Sequence, residues 1–178
     1  TLVGEPWADY GLIDSGDGRK LERYGPYRFI RPEPQAMWAP ASDDWQAHAE
    51  FVPGSDEEGG GRWYLTDRSL PQSWPLEWRE VRFASSCTPF RHLGFFPDMA
   101  PVWDWMRGRL DGLDAPTAMN LFGYTGVASL AAAAAALGAT VGGAGPPDWP
   151  MAVERKPGLA GLRRPSSVPI RPRRATLH

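Results

Sequence analysis

The residues best placed to do chemistry lie in the run Ala118-Met119-Asn120-Leu121-Phe122-Gly123-Tyr124-Thr125-Gly126-Val127-Ala128-Ser129-Leu130. It reads as a short buried strand, a glycine turn and the start of an alanine-rich helix. That order sets backbone N–H groups and a helix N-terminus at the carboxyl end of a strand, which suits an anionic or zwitterionic ligand. A second run, Thr88-Pro89-Phe90-Arg91-His92-Leu93-Gly94-Phe95-Phe96-Pro97, gathers aromatics, a cation, an imidazole and a glycine between a strand and a helix. No catalytic residue can be assigned. The sequence names no partner for His92, which therefore reads as a structural histidine. Cys87 is the single cysteine, so an intramolecular disulfide is impossible and a cysteine-based zinc site is unsupported. It reads as a half-buried structural thiol. The acidic run Asp56-Glu57-Glu58 precedes three glycines and reads as a solvated loop rather than a metal site.

Several elements must position these runs. Tyr10-Gly11-Leu12-Ile13, the turn 14–18 and residues 19–24 predict a hairpin. Gly25-Pro26 turns into a third strand at 27–31, so a small antiparallel sheet is expected after a loose segment at 1–9. Residues 42–50 are weakly helical at best. Phe51-Val52, residues 62–65 and residues 80–84 read as further strands, with a Pro- and Trp-rich connection at 70–78. Asp98 suits an N-cap, with Pro101 in the first turn where its missing N–H is harmless. Val102, Trp105, Met106 and Leu110 then fall on one face of a helix that ends near Gly112. Residues 115–122 include a short buried strand, 127–137 the next helix, and 138–141 the turn into a second parallel strand. A helix–strand–glycine turn–helix–strand series is the opening of an α/β doubly wound fold.

Nine Trp and a hydrophobic fraction of 42% support an ordered core, while 19 Pro and 20 Gly predict many irregular segments. The formal net charge of −2 is uneven. Arg155, Lys156, Arg163, Arg164, Arg171, Arg173 and Arg174 crowd the last part of the chain against only Asp148 and Glu154. The acidic remainder gives no electrostatic case for nucleic-acid binding, because phosphate contacts need clustered Lys and Arg. No signal peptide or membrane span is legible, and a cytoplasmic location is the expectation.

The two runs together resemble the class I S-adenosylmethionine-dependent methyltransferases. Within them the chain is similar to the ribosomal RNA large-subunit methyltransferase group, over roughly residues 10–141. The resemblance implies a small antiparallel β-rich region at 1–88 and the first part of a Rossmann-like S-adenosylmethionine-binding domain at 89–141. It implies RNA as the acceptor partner. By position, Asn120 ends the first strand. Phe122, Gly123 and Tyr124 offer backbone groups to the methionyl carboxylate and amine, and Gly126 permits close approach of ligand and chain. The dipole of the following helix favours the carboxylate. Arg91 and Phe96 are weaker candidates for the same ligand.

The departures are equally specific. The family's acidic residue at the end of the second strand, which holds the ribose, has no equivalent between Gly142 and Pro147, and its later Asp-Pro-Pro-type motif is absent. Residues 142–178 hold prolines at 146, 147, 150, 157, 165, 169 and 172 and show no apolar periodicity, so a disordered tail is expected. A frameshifted or truncated terminus after about residue 141 would account for that composition and leaves catalysis in doubt. The expected function is thus a methyltransferase, truncated and inactive in its acceptor half. The rival is a non-enzymatic remnant or a binding module built on the β-rich region. A nicotinamide dinucleotide site is weaker, since its Gly-x-Gly-x-x-Gly loop needs a glycine where Leu121 stands.

Overall fold

The computed structural model describes residues 2–54, 60–113, 116, 118–120, 123–137 and 152–153. It is a mixed α/β structure with a β-rich N-terminal region. The first sheet has the order β1-β2-β3-β4-β5, from Tyr10–Gly16, Arg19–Tyr24, Tyr27–Pro32, Ala49–Pro53 and Gly61–Leu65. The second sheet is β6 (Trp74–Trp78), β7 (Val81–Ser85) and β8 (Ala152–Val153). A 3-10 turn at Pro97–Met99 leads into α1 (Ala100–Leu110), and α2 spans Val127–Leu137.

The hairpin forms where turn chemistry demands it. Asp17 and Gly18 both take positive φ, 49° and 72°, the backbone that matches the twist of two flanking strands. β1 therefore runs to Gly16, past the predicted end at Ile13, with an irregularity in register between Leu12 and Asp14. The expected antiparallel sheet of three strands forms, and it extends beyond an all-antiparallel region. β3 and β4 pair in parallel, Phe29 opposite Ala49 and Ile30 opposite Glu50. Parallel neighbours need a long crossover, and the segment between Pro32 and Ala49 supplies it without a helix.

The connection at 70–78 hides a strand. Trp74, Leu76 and Trp78 are buried while Pro75 and Glu77 face out, a period of two. β6 is an edge strand, so Pro75 withholds no needed ladder donor. The first nine residues are likewise better anchored than their composition suggests. The Trp7 ring packs 5.6 Å from Phe95, 6.2 Å from Phe83 and 6.1 Å from Trp103.

One buried cluster joins both sheets to both helices. It includes Tyr24, Phe29, Trp74, Leu76, Phe83, Phe95, Trp103, Val127 and Leu130. Phe29 stacks on Trp74 at 5.2 Å, and Phe95 meets Phe83 at 4.8 Å and Tyr24 at 5.6 Å. The β2–β3 turn approaches the second sheet so closely that a Cβ on Gly25 would lie 2.9 Å from Leu76 Cδ2.

In α1 the predicted core face is displaced. Trp103 is buried against Trp78, 5.2 Å away, whereas Trp105 is 56% exposed. Val102, Met106 and Leu110 are partly buried. The helix docks by the side nearest Trp7 and Trp78, which periodicity alone could not select. Asp98 is not the N-cap: it belongs to the preceding 3-10 turn, and Met99 caps the helix without a side-chain bond. The helix stops as expected, with Gly112 at φ 75°. α2 has the predicted bounds and packs small alanines closely on α1 and β7.

Inside the first sheet lies a polar cluster. Glu22 is fully buried and takes Arg31 Nε on one oxygen at 2.6 Å and Nη2 on the other at 2.8 Å. Arg31 Nη2 also donates to the Tyr24 hydroxyl at 2.6 Å, and the Tyr10 hydroxyl donates to Glu22 at 2.9 Å. Lys20 Nζ stands 3.7 Å from Glu22 and 3.1 Å from Glu33. Burial, then the Glu22 charge and hydrogen bond, pushes the Tyr10 phenol well above its ordinary value. Burial is also the main reason that the Tyr24 phenol is raised. A raised folded-state pKa means stability that is complete below the ordinary tyrosine value near 10 and lost as pH rises beyond it. Urea midpoints measured at pH 8 and pH 11 should therefore drop, and Tyr10→Phe should lessen the drop. Equal losses in the two proteins would contradict this.

Among the described residues no helix is long and apolar enough to cross a membrane.

Candidate functional site

The glycine turn is a tight loop at the start of α2. The Gly126 N–H donates to the Gly123 carbonyl at 2.6 Å, and the Leu130 N–H donates to the Gly126 carbonyl at 2.9 Å, which opens the helix. Gly126 has φ 87°, a conformation that glycine adopts without strain. Tyr124 has φ 43°, uncommon for a residue with a side chain. A Cβ built on Gly123 meets nothing within 4 Å, so the turn borders open space. Open space at Gly123 beside a helix N-terminus fits the carboxylate end of an amino-acid ligand.

Residues 88–97 close over this turn. The Thr125 hydroxyl donates to the Gly94 carbonyl at 2.6 Å. The Tyr124 hydroxyl lies 3.2 Å from His92 Nε2 and 3.3 Å from Nδ1, with the rings edge-on at 5.0 Å. Phe96 lies 5.3 Å from the His92 ring and 5.8 Å from that of Tyr124. The loop is itself anchored. Trp63 Nε1 in β5 donates to the carbonyls of Thr88 and Phe90 at 2.9 and 3.0 Å, and the Ser85 hydroxyl donates to the Leu93 carbonyl at 2.6 Å. Leu93 and Phe95 point into the core while Phe90, Arg91 and Phe96 stay exposed. His92 thus has the partner that its sequence context did not name. Burial, followed by the charges of Arg31 and Arg91, holds its pKa below the ordinary value. Burial raises the Tyr124 phenol. The Cys87 thiol is half-buried and pushed up to about 11 by burial, as suits a structural thiol.

The predicted site residues separate into groups. Gly123, Tyr124 and Gly126 form the turn, and Phe96 touches it. Arg91 and Phe96 also line a cleft of about 560 Å³ with Lys20, Glu22, Arg31 and Asp98, to which the turn contributes no residue. The Arg91 carbonyl accepts from Arg31 Nη1 at 3.1 Å, tying the loop to the polar cluster. Asn120 donates from Nδ2 to the Ser129 hydroxyl at 3.1 Å. It does not end a strand: residues 118–120 are exposed coil, and Met119 is 84% exposed. Among the described residues no strand pairs with them. Phe122, the predicted second parallel strand and most of the predicted disordered tail lie outside the described residues. Within that tail, Ala152 and Val153 pair with Arg82 and Val81 on the free edge of β7, so at least those two are part of a sheet.

Sequence reasoning missed Glu22, Arg31, Tyr10 and Tyr24. The signal was present, since a tight Gly25-Pro26 turn pairs Tyr24 with Tyr27. That register places Glu22 opposite Phe29 and diagonal to Arg31.

No protein-family model and no curated protein matches the chain. Among solved structures it is similar to a SAM-dependent methyltransferase from Agrobacterium tumefaciens, with 45% identity and a TM-score of 0.68. The match covers 76% of this chain and 43% of that one. A protein from Streptococcus mutans, assigned provisionally to the SAM-dependent methyltransferases, shares the fold at 14% identity and a TM-score of 0.50. That match covers 72% of this chain and 36% of the other. The chain thus spans less than half the length of either.

Proposed function

We propose that the chain carries the methionine end of an S-adenosylmethionine site in a Rossmann-like methyltransferase whose acceptor is RNA. The observation that carries this reading is the glycine turn, open at Gly123 and closed over by residues 88–97, in a chain 45% identical over 76% of its length to a SAM-dependent methyltransferase. S-adenosylmethionine supplies an electrophilic methyl group on a sulfonium. The chain's own part is binding and orientation, which is most of what an in-line methyl displacement asks of a protein.

Backbone groups of Phe122, Gly123 and Tyr124 would hold the amino-acid end. Gly126 lets the chain bend beneath it, and the α2 N-terminus stabilises its carboxylate. Asn120 steadies the segment before the turn through Ser129. Phe96 would pack beside the ligand, and Arg91 is the weaker contact. The division into a β-rich region at 1–88, a donor-binding part at 89–141 and a tail at 142–178 belongs to the same proposal. RNA as acceptor rests on the sequence resemblance, and a cytoplasmic location is a separate expectation from the sequence. No acidic residue for the ribose stands between Gly142 and Pro147.

Calorimetric titration of the purified chain with S-adenosylmethionine and with S-adenosylhomocysteine tests the reading. Saturable binding at micromolar concentration is expected. Absence of binding to a folded sample would favour the non-enzymatic remnant or binding module.

A further inference from the structure

We infer that His92 is a positioning residue that sets the conformation of the glycine turn, and that donor binding weakens in acid because this clip depends on a neutral imidazole. The inference rests on the methyl-donor reading above.

Three contacts carry it. Tyr124 sits at φ 43° between the two glycines, a conformation that L residues hold only when their surroundings impose it. Its ring has His92 at 5.0 Å and Phe96 at 5.8 Å, and its hydroxyl lies against the imidazole nitrogens. The Gly94 N–H donates to His92 Nδ1 at 3.4 Å, while the Gly94 carbonyl accepts from Thr125. One loop residue therefore bears on Tyr124 directly and, through Gly94, on Thr125. These two residues are half of the four-residue turn.

The chemistry of the imidazole sets the sign. With Nδ1 accepting from Gly94, the neutral ring carries its proton on Nε2; the Tyr124 oxygen, nearly equidistant from both nitrogens, packs against the ring, and the Thr88 hydroxyl lies 3.3 Å from Nδ1. A second proton would occupy Nδ1 and turn the Gly94 N–H from a donor with an acceptor into one facing another donor. The charges around His92 agree. Arg31 on β3 and Arg91 on its own loop disfavour the cation. Lys20 and Glu22 from the first sheet, Glu33 just after β3, and Asp98 after the loop line the same cleft, where Lys20 and Arg31 already occupy the two glutamates. Tyr124 is the titratable group that meets His92 from the turn. The clip is complete above the ordinary histidine value near 6.5 and is lost as pH falls through and below it.

The test is S-adenosylhomocysteine affinity, by calorimetry, between pH 8 and pH 5, over the range in which near-UV circular dichroism shows the chain folded. The wild-type affinity should fall by about tenfold. His92→Gln, which cannot titrate, should bind more weakly at pH 8 and show a flat profile. Thr125→Val deletes the hydroxyl that ties the turn to Gly94, leaves His92 in place and should lose most of the acid dependence, so the test survives if His92→Gln misfolds. Variants whose profiles run parallel to the wild type would overturn the positioning role while leaving the donor site standing. A folded wild type with no affinity at either pH would overturn the donor-site reading, and this inference with it.

Discussion

Gly123→Val should abolish most donor binding while leaving the fold intact. The two effects separate because of local geometry. A Cβ at Gly123 meets nothing within 4 Å, so the first atom of the new side chain displaces no neighbour. Nor is Gly123 among the glycines held at positive φ, so the substitution imposes no left-handed strain. What the side chain fills is the space beside the turn, where the ligand would approach. Overpacking of about 1–3 kcal/mol corresponds to roughly a fivefold to 150-fold loss of affinity. The thermal midpoint should stay within about 3 °C of the wild type. Calorimetric titration and a thermal melt on the same sample check both halves. Unchanged affinity in a folded variant would place the ligand elsewhere. Gly126 is a poorer probe, since its φ of 87° makes any substitution there a mixture of strain and lost function.

The largest effect on stability is expected at Glu22. Replacing it with alanine leaves Arg31 buried against Tyr24 without its carboxylate. Removing one partner of a buried pair costs about 3–5 kcal/mol, because the surviving charge has left water without compensation. Urea unfolding of Glu22→Ala should show a loss of that size. The double variant Glu22→Leu/Arg31→Met should recover much of it, since no charge remains to be solvated. A loss below about 1 kcal/mol in the single variant, the value of an ordinary exposed pair, would mean that the cluster is wetter than its burial implies. The cluster also reaches the functional loop through the Arg31 contact to the Arg91 carbonyl. Glu22→Ala should therefore weaken donor binding as well as the fold.

Much of the site was legible in the chain. Gly123-x-x-Gly126 before an alanine run fixes a turn and a helix start, because only glycine takes the backbone that Gly126 takes and alanine loses least on entering a helix. The bounds of α2, the hairpin at Asp17-Gly18 and the stop at Gly112 follow from the same local rules. They involve neighbours in sequence, so sequence suffices. The importance of residues 88–97 was legible too, as a mixture of groups that no simple strand or helix would carry.

Contacts between distant residues were decided elsewhere. That His92 meets Tyr124, 32 positions away, depends on Leu93 and Phe95 being drawn into a core shared with Tyr24, Phe83 and Trp103. That β3 and β4 run parallel depends on how an irregular crossover is laid down, which no periodicity records. That Trp103 rather than Trp105 is buried depends on where Trp7 and Trp78 already stand. In each case the deciding energy is the burial of aromatic surface shared among segments far apart in the chain. The sequence by itself determined the glycine turn and the helix behind it. Only the tertiary structure supplied the imidazole that holds the turn in place.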